Sequence, residues 1–291
     1  MASGNATPAR VILGQHTKLT RVAHGIVYDR ARDEVFASAP LASAIVAFKS
    51  DQRGDTPPLR VIQGPHTMVH DPWGLAVDDK HNELLAADFE QGAILTFPID
   101  GNGDVAPRRV IRGPRTQMFG VSGVAVDPER NLIVAMTFAS GTEASLGDGG
   151  IFIFDRKATG NVAPIRMIAG PHTGIISGWH VAVYEGKIYA VASNIEYRPP
   201  YDGGGYGPRN GCKGPPFGML TAPRHLGFVG IWNITDNGDI PPRAIIRGST
   251  TELVEPGGIV LDPADGEIFV TEPVKGAIFG FMVPELFGRG S

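Results

Sequence analysis

The sequence contains a single cysteine, Cys212, among 291 residues. One cysteine excludes an internal disulfide and any cysteine-rich metal framework. Charged residues make up only 19% of the chain and the net charge is −4, so we expect no basic surface for nucleic acid. No apolar run is long enough to span a bilayer, so we expect no membrane partner either.

The N-terminal residues MASGNATPAR lack the apolar core of a signal peptide. The sequence therefore leaves the compartment open, and the mature form of a secreted or periplasmic protein remains among the alternatives.

Glycine and proline, by contrast, are abundant, with 39 and 24 residues, as is typical of many short strands joined by turns. One segment recurs along the chain as RVILGQHT, RVIQGPHT, RVIRGPRT and RMIAGPHT, ending at Thr17, Thr67, Thr116 and Thr173, and then in the degenerate form AIIRGSTT. A period of about 50 residues indicates an array of supersecondary units.

Between these segments lie short, β-branched, apolar runs that are bounded by Gly, Pro, Asp or Asn, which is the pattern of strands. Four strands in each of five units predict an all-β, single five-bladed β-propeller over residues 1–291, with six blades as the alternative. We expect residues 10–12 to pair with GAIFGF (276–281) as the fourth strand of the last blade, because this closes the ring and removes an open edge.

The first strand of a unit reads GIVYD (25–29), GLAVD (74–78) or GVAVD (123–127), and a second strand reads ELLAAD (83–88). These runs resemble the NHL family of propeller repeats, and the resemblance extends over essentially the whole chain. It implies a β-propeller fold. Because that family includes scaffolds, lectin-like binders, lyases and lactonase-like hydrolases, the resemblance leaves the function open.

Two insertions interrupt the repeat at the same point of their units, between the second and third strands, at 138–150 and 195–228. We therefore predict two loops on one face of the propeller. Long loops in compact domains commonly bind ligands or cover sites, so we take this face as the functional one.

Residues at the starts of the first strands and the ends of the second strands should surround the axial mouth on this face. Imidazole and carboxylate groups there suit a divalent metal of undetermined identity. We predict that four of them are catalytic and bind this metal: His24, His180, Asp88 and Glu272. The further ligand-binding candidates are Trp73, Trp179, Asn194, Glu255 and His70.

Each of these interpretations has a structural alternative. The polar groups of the channel could bond to one another and to buried water, and Trp73 and Trp179 could plug the channel top. The histidines of the repeated segment, His16, His66 and His172, recur once per unit and would lie far apart around a ring, so we interpret them as structural.

The sequence thus predicts a small-molecule or carbohydrate ligand at the axial mouth. An enzyme, either a metal-assisted lactonase-like hydrolase or a lyase, is favoured over a non-enzyme. The alternative is a non-catalytic propeller that binds protein or glycan.

Overall fold

The computed structural model describes residues 7–142, 145–193 and 227–288. Within these ranges nineteen strands form five antiparallel sheets, accompanied only by short 3-10 turns. This is the predicted five-bladed β-propeller. Among the described residues, no helix is long and apolar enough to cross a membrane.

In each blade the strands follow one another in chain order, from the innermost to the outermost. Blade 1 contains β1 to β4 at Ile26–Asp29, Glu34–Ala39, Ala44–Lys49 and Arg60–Ile62. Blade 2 contains β5 to β8 at Pro72–Asp78, Glu83–Asp88, Ala93–Pro98 and Arg109–Ile111. Blade 3 contains β9 to β12 at Met118–Asp127, Leu132–Thr142, Ser145–Asp155 and Arg166–Ala169.

Blade 4 contains β13 to β16 at Ser177–Tyr184, Lys187–Ser193, Gly227–Asn233 and Ala244–Ile246. Blade 5 contains β17 to β19 at Gly258–Asp262, Glu267–Glu272 and Ala277–Met282. The insertion at 138–150 extends β10 and β11 as a hairpin, with Ala139 opposite Asp148, and does not form the separate loop that we expected. The second insertion lies outside the described residues, apart from Gly227 and Phe228, which begin β15.

The apolar core lies between the blades. Side chains alternate along a strand, so each blade has a rear face toward the preceding blade and a forward face toward the following one. In β6, Leu84 and Ala86 pack on blade 1, whereas Leu85 and Ala87 pack on blade 3. Burial on both faces explains why the second strands read as continuous apolar runs.

Glycines in the first strands allow neighbouring blades to approach closely at the axis. A Cβ added at Gly74 would lie 2.8 Å from the Cα of Gly123, and one added at Gly123 would lie 2.9 Å from the Cα of His180. A Cβ at Gly25 would lie 2.1 Å from the carbonyl oxygen of Trp73. The glycine of the GIVYD-type motif is therefore a packing requirement.

The repeated segment connects consecutive blades. His66 donates its backbone N–H to Asp104 Oδ1 at 2.7 Å, and its Nδ1 lies 2.6 Å from Asp104 Oδ2. The same pair of contacts joins His16 to Asp55 and His172 to Asp239, so these histidines have structural contacts, as we interpreted them. The final threonine of the segment is buried, and in Thr67 the hydroxyl donates to the Gly64 carbonyl at 2.7 Å.

The closing strand differs from the prediction. Blade 5 has three strands, and residues 10–12 form no ladder with β19 in the described residues. Instead, Ile12 forms a parallel bridge with Gly54 of blade 1, and Gly54 donates to the Val11 carbonyl at 2.7 Å. The backbone groups of this segment thus bond to blade 1, as those of β4 and β8 bond to the next blade, but among the described residues the pairing with a third strand is missing.

Candidate functional site

Five aromatic rings from four blades converge at the axial mouth. His24 stacks on Trp73 and Trp73 stacks on Phe89, each with ring centroids 4.0 Å apart. Trp179 lies parallel to Trp73 at 6.1 Å, and Phe138 meets Trp179 edge-on at 4.7 Å. Trp73 is only 8% exposed, whereas Trp179 is half-buried. The stack therefore closes the mouth over blades 1 to 3, as expected of a plug, and leaves Trp179 at its accessible margin.

Irregular strand pairing positions the two tryptophans. The register of β5 against β6 shifts between Pro72 and Leu75, and that of β13 against β14 shifts between Gly178 and His180. Such bulges redirect side chains and are frequent beside functional sites. In both blades the shift spans the tryptophan, and so places its ring toward the axis.

Four ionisable groups at the mouth have pKa values shifted in the direction that favours their neutral forms. Burial raises the pKa of Asp71 to about 6, while a hydrogen bond to the Trp73 side chain opposes the rise and nearby Asp88 adds to it. Burial, and then the neighbouring Glu272, raise the pKa of Glu255. This environment disfavours negative charge.

Positive charge is disfavoured as well. Burial lowers the pKa of His180 to about 4, and burial also lowers the pKa of His24, whose ring stacks on Trp73. Both imidazoles are therefore neutral at pH 7. The mouth is therefore an aromatic site in which both acidic and basic groups are favoured in their neutral forms.

Two polar atoms at the margin of the stack are buried without a hydrogen-bond partner in the described structure, Trp179 Nε1 and His180 Nδ1. A buried donor without an acceptor costs roughly 1–3 kcal/mol. These atoms belong to consecutive residues of β13, and Trp179 Nε1 is part of the half-buried ring that joins the aromatic cluster. They are groups that a ligand oxygen or nitrogen could satisfy.

Asp88 and Glu272, predicted as metal ligands, bond instead to the backbone. Asp88 Oδ2 accepts from the N–H groups of His70 and Asp71 at 2.7 and 3.1 Å, and Oδ1 accepts from Gln91 at 3.1 Å. Glu272 has the same arrangement in blade 5, where Oε2 accepts from Val254 and Glu255, both at 2.8 Å. Both carboxylates are fully buried, and each holds the loop that leads into a first strand.

The structure brings the predicted residues together only in part. His24, Trp73 and Trp179 meet in the aromatic cluster, whereas the ring of His70 is exposed and bonds through Nδ1 to the Met68 carbonyl at 2.9 Å. Asn194 lies outside the described residues. In the described parts of the chain, no group of three or more His, Cys, Asp or Glu side chains is arranged to hold a metal ion.

Phe89 and Phe138 belong to the aromatic cluster but are not among the residues predicted from the sequence. A signal was present, because each follows directly on the last matched position of a second strand, after Asp88 and after Thr137. An aromatic residue at the same point of two consecutive units indicates a shared position at the mouth.

Comparison with known proteins supports the fold. No protein-family model and no curated protein matches the chain, so membership of the NHL family stays a prediction. The structure is similar to that of hydrazine synthase from Kuenenia stuttgartiensis, with a TM-score of 0.54 and 11% sequence identity. The match covers 92% of this chain but only 59% of that one, and at this identity it shows the propeller fold alone.

Proposed function

We propose that the protein binds a neutral, sugar-like small molecule at the axial mouth, against Trp179. The observation that carries the proposal is Trp179 Nε1, which is buried and unpartnered among the described residues and belongs to a ring of the aromatic cluster, with His180 Nδ1 unpartnered on the next residue. A sugar ring offers apolar C–H faces that stack on indole and hydroxyl groups that satisfy such atoms.

The charge preference of the site supports a neutral ligand. Asp71 and Glu255 have raised pKa values, whereas His24 and His180 have lowered ones, so burial at the mouth penalises ions of both signs. A carboxylate or ammonium ligand would lose its hydration at this site without gaining a fully charged partner of opposite sign. The desolvation free energy of a neutral polyol is smaller.

Calorimetric titration with a panel of neutral mono- and disaccharides tests the proposal. Trp179→Phe keeps an aromatic ring but removes the N–H, and we expect a 3- to 10-fold weaker Kd, the size of one neutral hydrogen bond. Trp179→Ala should weaken binding further. His66→Ala, in the segment that connects blades 1 and 2, is the matched control and should leave the Kd unchanged.

A second candidate is hydrolysis or elimination on the same ligand with Asp71 as the general acid–base. Its pKa of about 6 lies close to neutral pH, where a proton-transfer group is most effective. Nitrophenyl glycosides and simple lactones are suitable probes. Turnover with a pH limb near 6 that Asp71→Asn abolishes would support catalysis, and binding without turnover would leave the protein a binding module.

A further inference from the structure

The forward face of blade 5 is exposed where the corresponding faces of other blades are buried. Its apolar side chains and their exposed fractions are Val260 62%, Phe269 37% and Ile278 72%. The residues at the same positions of blade 2 are Ala76 7%, Leu85 0% and Ile94 0%, all covered by blade 3. Blade 5 therefore has a surface built to be covered by a following blade.

The inner part of the rear face of blade 1 is its counterpart, whereas Ala37, Val46 and Phe48 on the outer part are covered by the N-terminal segment. Ile26 is 72% exposed, although the same position of the following blades is buried, at Leu75 3%, Val124 1%, Val181 2% and Ile259 5%. Among the described residues, no apolar cluster joins the two faces of one chain. A Cβ added at Gly258 would contact only Thr271 of its own blade, whereas the equivalent atoms at Gly25 and Gly74 would touch the next blade.

The strand pattern has a matching gap. The third strands of blades 1 and 2 pair with fourth strands, but β19 has no such partner among the described residues. Residues 10–12 are a fourth strand without a sheet, because the bridge from Ile12 to Gly54 repeats the bridges that β4 and β8 make to the next blade. An unpaired edge and an unpaired strand are complementary.

Charge is complementary as well. In blade 1, Arg60 at the start of the fourth strand pairs with Glu34 at the start of the second, and in blade 2 Arg109 pairs with Glu83 at 2.6 Å. The corresponding residues are Arg10 and Glu267. No ion pair joins these two in the described part of a single chain.

We propose that a second copy of this chain covers blade 5. Its residues 10–12 pair with β19, its blade 1 packs on Val260, Phe269 and Ile278, and its Arg10 pairs with Glu267. The contact is head-to-tail, since different faces of the two copies meet, so it forms a closed ring of copies or an open assembly. It repeats the geometry of the blade-to-blade contacts within the chain.

Light scattering after size exclusion, over a range of concentrations, tests the proposal against the chain mass of 30.9 kDa. We expect the wild type to have at least twice this mass. Ile278→Glu and Ile26→Glu should each weaken association roughly 30-fold or more, as at interface hot spots, and should keep the circular dichroism spectrum of the wild type because both positions are exposed in the single chain. Leu41→Glu, also exposed but outside these faces, is the control.

Charge reversal shows whether the contact lies between copies. R10E and E267R should each weaken association, by roughly 3- to 10-fold, because each places like charges together. An equal mixture of R10E and E267R should recover the mass, since every contact between the two variants then joins opposite charges. A wild type that stays at 30.9 kDa at all concentrations, or variants that do not change its mass, would overturn the proposal.

Discussion

Removal of the Asp88 carboxylate should destabilise the fold strongly, because this group supports blade 2. Its side chain is fully buried and accepts three backbone hydrogen bonds, from His70, Asp71 and Gln91. Asp88→Ala leaves these donors without an acceptor in a site that excludes water. At about 1–3 kcal/mol for each donor, partly offset by relaxation of the loop, the loss is about 3–5 kcal/mol.

Asp88→Asn is the graded control. Its one remaining oxygen, placed at Oδ2, keeps the bonds from His70 and Asp71 and loses the one from Gln91, so we expect a loss of about 1–2 kcal/mol. Glu129→Ala removes a surface pair with Lys80 at 2.9 Å and should cost about 0–1 kcal/mol.

Urea unfolding followed by circular dichroism and by tryptophan fluorescence measures these differences, provided that the two transitions coincide. The m-value should stay constant while the midpoint shifts. An Asp88→Ala protein within about 1 kcal/mol of the wild type would refute the structural role. Loss of a bound metal from that variant, with unchanged stability, would instead favour the metal site predicted from the sequence.

Three further predictions concern the repeat and the mouth. Thr67→Val should cost about 1–3 kcal/mol in urea unfolding, since the buried hydroxyl bonds both to the Gly64 carbonyl and to the Val69 N–H, and Thr67→Ser should recover most of the loss; equal losses would contradict this. Gly74→Ala should cost about 1–3 kcal/mol, because its Cβ would lie 2.8 Å from Gly123, and unchanged stability would show that the blades can separate there. The pKa of Asp71 is raised from 3.8 to about 6 on folding, so the folded protein holds the proton more tightly and this group makes stability fall as pH rises through that window. Asp71→Asn should therefore gain stability relative to wild type at pH 7.5 but not at pH 4, and the same difference at both pH values would contradict the shift.

Periodicity predicts the fold well because every blade solves the same packing problem. The glycine of the GIVYD-type run is needed where Gly74 meets Gly123, and the apolar run around Leu84 and Leu85 is needed because both faces of β6 are buried. Such requirements recur in each unit and are therefore visible in the sequence alone.

The ring closure could not be predicted in the same way. In every complete unit, the fourth strand has two sets of partners, one in its own blade and one in the next. Residues 10–12 are the copy of this strand at the N-terminus. The sequence of residues 10–12 is compatible with both, and only the structure shows that the bonds to Gly54 form while those to β19 do not.

The sequence brings some of the candidate residues together correctly but does not show what the others contact. Unlike residues at equivalent positions indicated the mouth, where His24, Trp73 and Trp179 do meet. The sequence does not show that Asp88 and Glu272 bond to backbone N–H groups, because those groups carry no sequence signal. A carboxylate at the end of a strand gives the same sequence pattern whether its side chain binds a metal or a loop backbone.

The most direct test of the proposed function is the indole N–H region of a ¹H–¹⁵N correlation spectrum, titrated with the neutral disaccharide panel. The chain has three tryptophans. Trp232 donates to the Ile240 carbonyl at 3.3 Å in the core and is an internal control. We expect a saturable shift of the Trp179 resonance, identified by its absence in Trp179→Phe, with Trp232 unmoved. Saturation without movement of Trp179, or no saturable shift with any member of the panel, would contradict it.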